Sequence, residues 1–166
     1  MKPTAQKIVM SALLAALVCV ITMSIKIPSP LKGYLNPGDC IVLLSGWFLS
    51  PVYGFLAAGI GSATADIFSG YVIYAPATFI IKGLMALVAN YGIRIIRKRF
   101  SFLTAEILSG AAAELVMILG YYLFEGFLYG FIPSVANIPA NALQGVAGLV
   151  LGIILAKIFE KNKIKL

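Results

Sequence analysis

The chain has 166 residues, 61% of them hydrophobic and only 11% charged, with a net charge of +7 and no histidine. A soluble domain carries about 45–50% apolar and about 25% charged residues, so this composition excludes an ordinary water-soluble enzyme and a disordered chain. Two cysteines, Cys19 and Cys40, are too few to staple a secreted scaffold, and the lack of histidine removes the commonest metal ligand and the usual neutral-pH general base.

One integral membrane domain covering residues 1–166 remains. Its first predicted span is 5–25, ended by Lys26-Ile27-Pro28-Ser29-Pro30, since two prolines with one residue between them cannot continue a helix. The apolar run from Ile8 to Ile25 exceeds the roughly 7–15 residues of a signal-peptide core, so it is read as a retained helix. A loop over 26–38 leads to two short apolar stretches, 39–49 and 52–68, separated by Ser50-Pro51. Both are rich in small residues and are expected inside a bundle. Further spans follow at 77–96, 102–124 and 137–159, joined by 69–76, by a basic turn around Arg97-Lys98-Arg99, and by 125–136. The sequence thus predicts an all-α integral membrane protein, a bundle of six transmembrane helices.

Ten of the 13 Lys and Arg fall on one side of such a bundle: Lys2, Lys7, Arg94, Arg97, Lys98, Arg99, Lys157, Lys161, Lys163 and Lys165. Basic loops stay inside, which makes both termini cytoplasmic and places the first, third and fifth loops, all long, outside. Membrane topology and anionic headgroups explain the net charge without nucleic acid. The outer loops hold Tyr34, Asn36, Tyr71, Tyr74, Tyr129 and Phe131, either as interfacial anchors or as a lid.

Ionisable groups within a bilayer are costly and mark functional sites. Asp39 opens the second span, as an N-cap or as a site residue. Asp66 ends the third, where the helix dipole disfavours an anion. Lys82 lies one to two turns into the fourth, either snorkelling or paired with Asp66, Asp39 or Glu114. Glu114 stands mid-span and must face the interior. Asn141 and Gln144 share a face near the outer end of the last helix. Polar groups from several helices at one depth, beneath aromatic loops, describe a small-molecule pocket built by Asp39, Asp66, Tyr74, Lys82, Asn141 and Gln144, with Glu114 as its floor or in a separate pair. No nucleophile–base pair, phosphate-binding loop or metal-ligand spacing is present, so neither catalysis nor a metal site is expected. Ala12 and Ala16, four apart on the first helix, let another helix approach closely: one of this chain or a partner's.

Together these features resemble the substrate-binding S component of an energy-coupling factor (ECF) vitamin transporter. Ala12-x-x-x-Ala16 is similar to that family's docking motif. Gly33-Tyr34-Leu35-Asn36-Pro37-Gly38-Asp39 and Tyr74-Ala75-Pro76-Ala77-Thr78-Phe79-Ile80-Ile81-Lys82-Gly83 resemble its pyridoxine or hydroxymethylpyrimidine branch. The resemblance implies a high-affinity binding subunit in the cell membrane that captures a water-soluble vitamin outside. It implies no cofactor of its own; a transmembrane coupling protein and two ATPase subunits, separate chains, spend the ATP. The alternative is a stand-alone, proton-coupled secondary transporter in which Glu114 and Lys82 form the coupling pair.

Overall fold

The structure, a computed structural model, describes residues 4–30 and 33–161. Lys2, Lys32, Lys163 and Lys165 lie outside these residues. The elements are α1 (Thr4–Ser24), β1 (Ile27–Pro28), β2 (Tyr34–Leu35), α2 (Asp39–Phe48), α3 (Pro51–Phe68), α4 (Ala75–Ile96), α5 (Phe102–Tyr129), the single turn α6 (Phe131–Ser134) and α7 (Ile138–Lys161). Local chemistry sets several ends. Pro51 and Pro76 sit in the first turns of α3 and α4, where a missing N–H costs nothing. Ser101 Oγ accepts from the Thr104 N–H at 3.2 Å and caps α5. Gly130, at φ +94°, closes the same helix in a conformation that other residues adopt only with strain.

The expectation of six transmembrane helices does not hold. Among the described residues four helices are long and apolar enough to cross a membrane: Ala5–Ser24, Ala75–Ile96, Phe102–Tyr129 and Phe131–Lys161. The ten residues of α2 extend about 15 Å, half of a hydrocarbon core about 30 Å thick. In α3, Ser62, Thr64, Asp66 and the glycines at 54, 59 and 61 dilute the apolar content. The architecture is a mostly helical, membrane-spanning bundle with four long apolar helices. Within it α2 is an internal element, buried from Asp39 through Trp47, as a helix apolar on all sides must be.

Close backbone approaches lock the bundle. A Cβ on Gly61 would stand 2.4 Å from the Ala15 carbonyl oxygen, so α1 lies directly on α3; one on Gly148 would stand 2.6 Å from Asp39 Cβ, so α7 lies directly on α2. Leu14, Leu43, Leu44, Met85 and Met117 fill the space between, fully buried. At the C-terminal end of α2, Asn90 Nδ2 donates to the carbonyls of Gly46 (2.6 Å) and Leu49 (2.7 Å), and Trp47 Nε1 donates to Ser109 Oγ (3.0 Å). Those bonds satisfy carbonyls that a helix end otherwise orphans, and they make Trp47 part of the scaffold.

The predicted 26–38 loop is a short antiparallel hairpin pairing Ile27 with Leu35 and Pro28 with Tyr34. The predicted 125–136 loop largely vanishes, because α5 continues to Tyr129 and α6 begins at Phe131. The hairpin, the start of α2 and the ends of α3 and α5 thereby meet the starts of α4 and α7 at one end of the molecule.

Candidate functional site

Asp39 is the hub of that end. The N-cap position of α2 is Gly38, and no side chain caps the helix, so the Asp39 carboxylate serves other partners. Lys82 Nζ donates to Oδ1, forming a buried ion pair, and Gln144 Nε2 donates to Oδ2 at 2.7 Å. Lys82 is 3% exposed and does not snorkel. Its ammonium also stands 5.5 Å from the centroid of the Tyr121 ring, at cation–π range. The opposite charge and the donating amide offset the cost of taking both groups out of water.

Above this pair, under the hairpin, is a cavity walled by Tyr34 and Asn36 from the hairpin segment, Asp66 from α3, Tyr71, Tyr74 and Thr78 at the start of α4, Tyr121 and Glu125 from α5, and Asn141 and Gln144 from α7. Its volume is about 40 Å³, room for a few water molecules. Tyr34 O–H donates to Asp66 Oδ1 at 2.8 Å. Burial, and then the Asp66 carboxylate, push the Tyr34 hydroxyl well above the ordinary phenol range, so it remains a donor. Asn137 Nδ2 (2.8 Å) and Tyr74 O–H (3.4 Å) both donate to Glu125 Oε1. Thr78 Oγ1 and Tyr121 O–H share a hydrogen bond of 3.1 Å. The rings of Tyr34 and Tyr71 lie 4.8 Å apart and those of Tyr71 and Tyr74 6.2 Å apart, giving one wall an aromatic surface. The backbone N–H of Asn36 donates to Gln144 Oε1 at 3.0 Å, so one side chain of α7 holds both the hairpin and the ion pair.

Of the residues singled out in the sequence, Asp66, Tyr74, Asn141 and Gln144 therefore line the cavity, and Asp39 and Lys82 lie beneath it. Glu114 lies beside the floor residue Asp39: a Cβ on Gly148 would stand 2.6 Å from Asp39 Cβ and 3.2 Å from Glu114 Oε1. It precedes Tyr121 by seven residues on α5, about 10 Å deeper, and borders an apolar groove of about 270 Å³ between α5 and α7, with neither carboxylate oxygen hydrogen-bonded. The direct ion pair of Lys82 is with Asp39 rather than with Glu114. Ala12 and Ala16 are both exposed; α1 faces α3 with Ser11, Leu14 and Val18 instead. Ala12 lines an open apolar groove of about 430 Å³ with Tyr53, Leu56 and Ile60.

Sequence reasoning missed Glu125, Asn137, Thr78 and Tyr121. The available signal was Glu125 itself, an acid at the end of an apolar run, hidden because Glu125-Gly126 reads as the start of a loop. Among the described residues no group of three or more His, Cys, Asp or Glu side chains could hold a metal ion.

A family model described as "ECF-type riboflavin transporter, S component" matches residues 2–161. The chain belongs to that family. As an S component it is a transport protein for a small molecule, multi-pass and helical, and not an enzyme. A Pyrococcus woesei protein described as "Uncharacterized protein in gap 3'region" is 34% identical over 146 residues, covering 87% of this chain and 95% of its own. A solved chain described under "Structure and mechanism of the S component of a bacterial ECF transporter" superposes with a TM-score of 0.74, covering 96% of this S component and 98% of that chain at 23% identity. At that identity the likeness establishes the fold. The pyridoxine or hydroxymethylpyrimidine branch finds no support in these matches.

Proposed function

We propose that this S component captures riboflavin, or a similarly ring-bearing and hydroxylated vitamin, in the cavity under the hairpin and passes it inward with a separate coupling protein and two ATPase subunits. The observation that carries this reading is the convergence of donors and acceptors from the hairpin and four helices on one cavity with a tyrosine wall. Tyrosine faces suit a heteroaromatic ring, while Asp66, Asn141 and Gln144 suit its nitrogens and hydroxyls. Riboflavin replaces pyridoxine as the first candidate because the family matching nearly the whole chain bears its name.

Charge argues for the free vitamin over its phosphate. Of the described cations at this end, Lys26 bonds Ser69 Oγ and lies over the Tyr34 ring, and Lys82 is committed to Asp39. A ring of vitamin size requires the hairpin to lift. Its polar ties to the bundle among the described residues, Lys26 to Ser69, Tyr34 to Asp66 and Asn36 to Gln144, are few enough for such an opening to be a local event. Lys7, Arg94, Arg97, Lys98, Arg99, Lys157 and Lys161 lie toward the opposite end, and the inward preference of basic residues turns the cavity outward. The exposed Ala12 and Ala16 offer the coupling protein a surface of small residues.

Calorimetry on the detergent-purified protein tests the reading. One-to-one binding of riboflavin, tighter than of its phosphate, is expected. Failure to bind any water-soluble vitamin rejects the capture role, and tight binding of pyridoxine alone reassigns the substrate.

A further inference from the structure

Two buried side-chain oxygens on the cavity have no hydrogen-bond partner among the described residues: Glu125 Oε2 and Ser29 Oγ. Glu125 is 3% exposed. Its other oxygen is pinned by Asn137 and Tyr74, which fixes the plane of the carboxylate and holds Oε2 in place. Ser29 comes from the hairpin. A Cβ on Gly33 would stand 3.1 Å from Ser29 Oγ and 3.9 Å from both Glu125 Oε1 and Tyr74 O–H, so the hairpin passes close over this corner at residue 33. A buried acceptor held without a donor is costly until one arrives, and Glu125 takes part in no ion pair among the described residues.

We propose that Glu125, faced by Ser29, is the specificity-determining acceptor of the cavity: Oε2 receives a hydrogen bond from a neutral donor of the ligand, a hydroxyl or a ring N–H. The proposal rests on the capture role and names the group by which the ligand is selected. It distinguishes this corner from the floor, where Asp39 is already saturated by Lys82 and Gln144. A ligand that offers only acceptors here leaves Glu125 unpaired and is rejected, because a site built to receive a donor discriminates strongly against analogues that lack it.

Riboflavin carries both kinds of donor, hydroxyls on its side chain and one imide N–H on its ring. Lumiflavin lacks the hydroxyls, and a flavin methylated at the imide nitrogen lacks the N–H. Titrating all three against the full chain and against Glu125→Gln separates the sources. Riboflavin affinity is expected to fall about tenfold to a hundredfold in the variant, and one of the two analogues is expected to bind both proteins equally, which identifies the donor. Glu125→Asp keeps the charge but retracts it, gives an intermediate loss, and serves the same comparison if the Gln variant does not fold. Unchanged riboflavin binding in the variants, or an equal loss for all three flavins, overturns this proposal alone. A wild-type protein that binds no vitamin overturns the capture role and this proposal with it.

Discussion

Lys82 and Asp39, 43 residues apart in sequence, meet as an ion pair with side chains 4% and 1% exposed. The pair ties α4 to the start of α2, and Gln144 extends it to α7. Removing one partner leaves a bare charge without water, which costs about 3–5 kcal/mol. Lys82→Met is therefore expected to lower thermal stability in detergent by about that much. Lys82→Met combined with Asp39→Asn is expected to cost less than the two single changes summed, since no charge is stranded. Strict additivity in the cycle would show that the two groups do not support one another.

Gln144 gives a second prediction. Replacing it with Leu removes both the acceptor for Asn36 N–H and the donor to Asp39. Hydrogen exchange should accelerate across residues 34–38, and vitamin affinity should drop about tenfold, one charge-assisted bond's worth. Faster exchange with unchanged affinity would make Gln144 a hairpin anchor only.

Gly61→Ala probes the α1–α3 contact. Its new methyl group would meet the Ala15 carbonyl, a backbone atom that cannot turn aside. Overpacking of this kind costs about 1–3 kcal/mol, read as a lower melting temperature. An unchanged melting point would mean that the helices separate freely.

Ala12→Trp addresses the exposed face of α1. Because Ala12 is exposed in an open groove beside α3, a bulky side chain there should leave melting temperature and vitamin binding unchanged while abolishing uptake by cells that express the whole transporter. Lost binding would contradict an external docking role.

Much of the site was legible because lipid tolerates so few polar groups. Asp39, Lys82 and Gln144 are conspicuous among apolar neighbours, and the structure brings them into direct contact. Glu114 was equally conspicuous, but burial alone does not say which cavity a carboxylate borders; it lies beside Asp39 and opens on the groove between α5 and α7 rather than on the cavity under the hairpin. Glu125 and Asn137 were illegible for the opposite reason: polar residues near helix ends are ordinary, and the continuation of α5 through Gly126 to Tyr129 has no local signature. The span count erred where apolar composition was taken as crossing length, since α2 is apolar yet only ten residues long.

That short α2 constrains how the polypeptide can be made. A nascent segment of half the required length, opening on an acid, has no stable residence of its own among acyl chains. The hydrogen-bonding partners of that acid, Asp39, come later in the chain, Lys82 first and Gln144 last. A product truncated before α7 would therefore lack the donor to Asp39 Oδ2 and carry a half-satisfied carboxylate.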